Sequence, residues 1–286
     1  MQTANLTAFI AVAETGSFSR AAGRLHLTQP AVSKRITVLE HELDTRLFDR
    51  IGHQVSLTEA GQALLPRARH IIGEIEDSRR AIHNLSGLVA GRLTIGTSHH
   101  IGLHRLPPVL RNYGRRFPDV ELDLHFMASE SICTAVSHGD LELGIVTLPL
   151  QTPEHLRAIP VWQDPLLFVC APHHPLARTK KIAPAQLALH TAILPERQTT
   201  TREILEQSLA RSTVELKTGT TTNNLEAIKM MVAVGLGWSV LPETLLDKQL
   251  QVFQVNNLRL SRTLGVVHHR DRTLSNAALR MLELLT

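Results

Sequence analysis

Side chains suited to chemistry gather at a few places in this chain. Near position 30, Gln29, Ser33, Lys34, Arg35 and Thr37 share one flank of a helical stretch. Gln can grip adenine through paired hydrogen bonds, Ser can exchange one with most base edges, and Lys and Arg pair with guanine or phosphate. The flank suits a nucleic-acid groove, or in the plainer alternative merely solvates a helix face. Further on come Thr97, Ser98, His99 and His100, and later Thr199, Thr200 and Thr201. Where a strand meets a helix, such hydroxyls join free amides that favour an anion. Ordinary helix capping explains each run equally well when it is taken singly. Ser129 and Thr147, beside neighbouring strand ends, extend the wall of the first run.

Other reactive types assemble less. His100 and His104 stand four apart, a spacing that can clamp a metal, but with no Cys or acid in the motif the reading is no metal site. They suit surface or capping roles, and His99 or His100 could act as a protonation switch. Cys133 and Cys170 have apolar neighbours and read as buried inert thiols, with oxidation sensing as the alternative. Glu130, Asp140 and Glu142 show no paired spacing that demands acid-base work, and solvated positions suit them. The G-x-S-x-G, H-E-x-x-H, G-x-G-x-x-G and Walker patterns are absent, so no catalytic residue, no cofactor and no enzymatic activity are expected.

The elements that position these groups follow from periodicity. Val32, Ile36, Leu39 and Leu43 repeat at helical spacing behind the cap residue Thr28, and Pro30 falls in the first turn, where a missing N–H is tolerated. Small Ala21 and Ala22 let a preceding helix approach, with Leu25 and Leu27 at the bend, and Phe18 plugs the core before a cap at Ser19. Asn5 caps a first helix bearing Leu6, Phe9, Ile10 and Ala13, which Gly16 stops. Asp49 to Leu57 reads as a hairpin with Arg50 and His53 near its tip. Thr58 opens a long helix to about Leu85, its hydroxyl and first amides either capping or holding a phosphate. Along it Leu64, Ala68, Ile71, Ile75, Ser78, Ile82 and Leu85 form a heptad seam, with Pro66 bending the early turns. The seam packs either on its own chain or, as preferred here, on a second copy through Leu64, Ala68, Ile71, Ile75 and Ile82.

From Gly91 strands and helices alternate. A first α/β unit has strands Leu93–Gly96, Val120–Phe126 and Leu143–Val146, with helices Ile101–Phe117 and Ile132–His138. A second has strands Leu166–Cys170, Ala192–Leu194, Val214–Lys217 and Trp238–Leu241, with helices near Ala185–Leu189, Arg202–Leu209 and Leu225–Val234. Strand Leu264–Val267 and helix Asn276–Leu285 return to the first. The 286 residues suffice for several cores, and a net charge of +4 argues for nothing by itself. No leader opens the chain and no apolar run nears twenty residues, so the expectation is cytoplasm and no membrane.

The stretch Phe9 to Gly61, with its GSFSRAA, TQPAVS, LE-x-EL, LFDR and LTEAG motifs, resembles the winged helix-turn-helix of LysR-type transcriptional regulators. The resemblance implies an α+β multidomain chain: a DNA-binding domain at 1–58, a linker and dimerisation helix at 59–90, and an α/β periplasmic-binding-protein-like effector domain at 91–286. The last would comprise two Rossmann-like subdomains, 91–161 with 264–286, and 162–263. Thr28, Gln29, Pro30, Ser33, Lys34, Arg35, Arg50, His53 and Thr58 would face DNA; the family's wing tends to carry more arginine, and His53 departs from that. The Thr97 and Thr199 turns would face each other across a cleft, holding a small anionic effector, a carboxylate or an oxyanion such as sulfate. Expected partners are double-stranded DNA with an imperfect inverted repeat and a second copy as homodimer or homotetramer, with RNA polymerase a further candidate. The competing class is a cytoplasmic small-molecule-binding protein or enzyme built on the α/β half.

Overall fold

In the computed structural model, which describes residues 1–51, 54–179, 181–210 and 214–286, the chain divides into units Met1–Gly87 and Leu88–Thr286. Helix α1 spans Thr3–Thr15, α2 Phe18–Arg24 and α3 Gln29–Glu42. Strands β1 (Phe48–Ile51) and β2 (Gln54–Leu57) pair antiparallel, with Arg50 opposite Val55, and α4 runs Glu59–Asn84. Their apolar faces, among them Phe9, Phe18, Ile36 and Phe48, close into one core. Two caps differ from expectation. Asn5 lies inside α1 and is buried, and Gln2 precedes the helix without a side-chain cap. Ser17, and not Ser19, caps α2 by accepting from the Arg20 amide at 3.4 Å, because Phe18 already belongs to the helix.

Helix α3 starts as read: Thr28 Oγ1 accepts from the Ala31 amide, and Pro30 stands in the first turn. Val32, Ile36 and Leu39 are fully buried, whereas Leu43, where the helix runs out, is 37 % exposed. Glu40 Oε1 accepts from the Leu47 and Phe48 amides at 2.8 and 3.4 Å, fixing the turn into the hairpin. Thr58 caps α4 by accepting from the Gly61 amide at 3.0 Å, and its hydroxyl donates to the Arg46 carbonyl at 2.7 Å. The seam along α4 is not uniform. Ala68 is fully buried in the core that α1 provides, with Leu64 and Ile71 packed against that core, so this half of the stripe is taken by its own chain. Ile82 and Leu85 are 71 % and 87 % exposed.

The second unit contains β3 (Gly91–Thr97), α5 (His99–His104), α6 (Pro107–Arg116), β4 (Val120–Phe126), α7 (Ser129–His138), β5 (Leu143–Thr147) and β6 (Leu156–Cys170). It continues with β7 (Lys181–Ile182), β8 (Ala192–Leu194), α8 (Thr200–Ala210), β9 (Thr218–Thr221), α9 (Leu225–Ala233), β10 (Ser239–Pro242), β11 (Gln251–Val255), β12 (Leu260–His269) and α10 (Asn276–Leu285). The main sheet has the order β4-β3-β5-β12-β6-β11-β7, with β10 also on β6, while β8 and β9 pair separately. Strands β6 and β12 cross between the two halves in long antiparallel register. In the first half the sheet is covered on one face by α6 and α10, through Tyr113 and Met281, and on the other by α7, through Ile132 and Val136. Burial on both faces accounts for the continuous apolar run of β5.

The expected helix Ile101–Phe117 is broken at Leu106, because Pro107 and Pro108 start a new helix where a missing N–H costs nothing. Strand β6 begins ten residues before the expected Leu166; Pro160 lies where the register with β12 shifts at Leu264/Gly265, a place that tolerates proline inside a sheet. Expected strand Val214–Lys217 is replaced by Thr218–Thr221, whose Gly219 lets the chain pass close over Thr191. The expected helix Ala185–Leu189 is a 3-10 turn, and β7 and β11 are strands beyond those that the periodicity marks.

Candidate functional site

The polar flank of α3 stays open to solvent within its unit: Thr28, Gln29, Pro30, Lys34 and Thr37 are exposed, with Ser33 and Arg35 half-buried. Burial of Val32, Ile36 and Leu39 forces this, since at helical spacing the other flank points away from the core. Neither Lys34 nor Arg35 takes an acidic partner among the described residues. Arg50 lies in β1, Thr58 caps α4, and His53 lies outside the described residues.

In the second unit the two halves enclose a cavity of about 280 Å³. Close packing of α7 on the sheet sets one wall: a Cβ on Gly96 would stand 2.6 Å from Leu141 Cδ1 and 2.8 Å from Ile132 Cγ2. This brings the start of α7 beside the ends of β3 and β5. Ser98, His99, His100, Ser129 and Thr147 line that side, and Thr199 and Thr201 line the opposite one. Thr97 and Thr200 do not. Thr97 is fully buried under α5, where Gly102 leaves room for its methyl, and Thr200 is 6 % exposed behind the wall.

Most of the lining hydroxyls also have structural work. Ser98 Oγ accepts from the Ile101 amide at 3.4 Å, Ser129 Oγ from the Thr147 amide at 3.1 Å, and Thr199 Oγ1 donates to the Glu196 carbonyl at 2.8 Å. The charged groups of the wall, Arg262, Glu130 and Glu226, lie outside the hydroxyl runs. Arg262 sits on β12 directly opposite Asp164 on β6, and its Nε donates to Asp164 Oδ2 at 2.8 Å. Its Nη1 donates to Thr201 Oγ1 at 2.9 Å, while its buried Nη2 has no partner. Asp164, wholly buried, also accepts from Arg105 Nη2 at 3.1 Å. Two guanidiniums therefore share one buried carboxylate, while Glu130 and Glu226 bring negative charge to the cavity wall.

His100 lies over this group, with Nε2 3.2 Å from Thr244 Oγ1 and 4.0 Å from Asp164 Oδ2. Burial, assisted by the Arg262 charge, lowers its pKa to about 4, so it is neutral at physiological pH and does not switch there. The His104 ring lies 4.9 Å from that of His100, and its Nε2 is 3.1 Å from Oε1 of the wall residue Glu226. Of the acids expected in solvated positions, Glu130 lines the cavity and Glu142 accepts from the Ser275 amide at 2.6 Å. Cys170 is buried as expected, whereas Cys133 is only half-buried; desolvation raises both thiols to about 11.

Residues 3–62 match the model for the bacterial regulatory helix-turn-helix protein, lysR family, and residues 86–286 match the LysR substrate binding domain. An uncharacterized HTH-type transcriptional regulator of Azotobacter vinelandii is 70% identical over 108 residues, covering 38% of this chain and 75% of the relative. A probable RuBisCO transcriptional regulator of Trichormus variabilis is 33% identical over 278 residues, 94% of this chain and 82% of the relative. A full-length OxyR point variant from Pseudomonas aeruginosa superposes with a TM-score of 0.72 at 23% identity, covering 100% of this chain and 97% of that one. With a helix-turn-helix whose polar flank faces outward and a cavity built on a second α/β unit, the chain belongs to the LysR family of transcriptional regulators and is not an enzyme.

Proposed function

We propose that this regulator binds its operator through the open flank of α3 and reads a small acidic effector in the cavity of its second unit. What carries the acidic reading is Arg262: a side chain 5 % exposed, in the wall, with one nitrogen, Nη2, that meets no protein acceptor. A buried donor left unmet costs free energy that an acceptor on the effector would recover. A carboxylate or sulfate-like group fits that donor, with Ser98, Ser129, Thr147, Thr199 and Thr201 supplying hydroxyls around it. Calorimetric titration with small acids and oxyanions tests this, with Ser98→Ala and Arg262→Lys beside wild type. The lysine keeps the charge next to Asp164 and removes the forked donor. Unchanged affinity in both variants rejects the reading.

On the DNA side, Thr28, Gln29, Pro30, Ser33, Lys34 and Arg35 form the reading surface, with Arg50, His53 and Thr58 as further DNA-binding residues. The domains divide at 58/59 and 90/91, and the effector domain at 161/162 and 263/264. The exposed end of α4 around Ile82, with Ile75 before it, pairs with a second copy, so that two reading helices meet the half-sites of an inverted repeat. The assembly acts in the cytoplasm as a homodimer or homotetramer, with RNA polymerase as a further partner. No described helix is long and apolar enough to cross a membrane. An effector shifts the response only by preferring one arrangement of the protein over another. Gel shifts over a salt series measure the DNA arm; a slope near zero excludes phosphate contact.

A further inference from the structure

The acidic place in the cavity already has a claimant within the chain. Glu130, in the first turn of α7, lines the wall, and its Oε1 accepts from the Thr200 amide at 3.1 Å. Thr200 is the first residue of α8, an 11-residue helix. The opening amides of a helix have no partner inside it and carry the positive end of its dipole, which makes them a natural seat for an oxyanion. A carboxylate from the opposite half of the unit occupies one of them. An independent feature of the same cavity marks it as a place for an anion: Arg262, which lines it and is 5 % exposed, has a buried Nη2 that meets no protein acceptor.

We infer that Glu130 is an internal competitor for the effector's acidic group, and therefore the residue that sets how tightly acids bind. This rests on the acidic-effector reading above. An entering oxyanion shares the cavity with the Glu130 charge and competes with it for the α8 amide, so the carboxylate must leave Thr200 when the amide is taken. The same exchange cuts a hydrogen bond joining α7 to α8 across the cleft, which couples occupancy of the cavity to the tie between the halves. Glu130 thus acts against anions in general, and only an acid that also satisfies Arg262 and the surrounding hydroxyls displaces it with net gain.

The test is calorimetric titration of the full chain with sodium sulfate at constant ionic strength. Glu130→Gln keeps the size of the side chain and an acceptor for Thr200 but removes the charge; Glu130→Ala removes both charge and reach. A hydrogen bond to a charged group corresponds to about a tenfold or larger change in a binding constant, so both variants are expected to bind sulfate about tenfold more tightly than wild type. Affinity within twofold of wild type, or weaker, in both variants overturns the inference. If sulfate binds wild type and weakens in Arg262→Lys while the Glu130 variants do not tighten, only the competitor role falls. If sulfate binds none of the proteins, the acidic-effector reading falls with it.

Discussion

Asp164→Asn probes the charge arrangement under the cavity most directly. The carboxylate is wholly buried and receives Arg262 Nε on one oxygen and Arg105 Nη2 on the other, at 2.8 and 3.1 Å. Asparagine keeps the shape but replaces one acceptor oxygen by a donor amide and removes the charge, so both guanidiniums lose the carboxylate they share. Breaking a buried ion pair from one side typically costs about 3–5 kcal/mol, because the remaining charge has lost its hydration as well as its partner. For a unit of this size each kcal/mol moves the melting temperature by roughly 2–4 °C, so the variant should melt about 10 °C lower. The chain's two tryptophans, Trp162 and Trp238, both lie in the second unit, so urea unfolding followed by their fluorescence reports on that unit. Adding Arg262→Met to Asp164→Asn removes one uncompensated charge and should restore part of the loss. A single-variant loss below about 1 kcal/mol, or a double variant weaker by the full sum, would refute the assignment of Asp164 as counter-ion.

Three further outcomes are expected. Because burial and the Arg262 charge lower the His100 pKa to about 4, the unfolded chain takes this proton first. The contribution of neutral His100 is therefore complete above pH 6.5 and declines as pH falls toward 4, by at most about 3 kcal/mol. His174 and His268 are lowered too, so the measurement is the difference between wild type and His100→Gln in urea titrations across that range; parallel curves contradict it. Lys34→Ala should weaken DNA binding evenly across sequences and reduce the salt slope by about one, whereas Gln29→Ala should cost about 1–3 kcal/mol at one base pair and leave the slope alone; gel shifts on operator variants separate the two. Cys133 and Cys170, with thiols near 11, should react with a disulfide reagent at about pH 8 far more slowly than a free thiol, and a fast phase would show an exposed thiolate.

The DNA-reading half was legible because its code is local. Thr28 to Leu39 carries cap, proline and apolar stripe within a few turns, and burying that stripe decides which side chains remain outside. Mistakes there were about single caps, such as Ser17 against Ser19, where an aromatic residue enters the helix before the polar one that would have opened it. On α4 the periodicity marks a stripe without saying what covers it: α1 takes its first half, as Ala68 shows, and Ile82 and Leu85 stay exposed within the chain.

The cavity was legible in its hydroxyls and in the His99–His100 pair beside them, but not in its arginine, for a related reason. Ser and Thr next to strand ends betray themselves by sequence position, yet that position also makes them caps, and Ser98 and Ser129 are indeed spent largely on backbone amides. The groups that give the cavity its charge are far from one another in the chain: Arg262 and Asp164 are 98 residues apart, Asp164 and Arg105 59 apart. Their meeting follows from the long register of β6 on β12, which the prolines of β6 hid by arguing against a strand. Once that register is known, Arg262 and Asp164 on paired inward positions could not be solvated, and a buried arginine with a spare donor demands an acceptor. On the acidic-effector proposal, ligand preference rests on strand pairing more than on the conspicuous threonines, and substitutions that shift the β6–β12 register should alter effector choice while leaving the α3 flank unchanged.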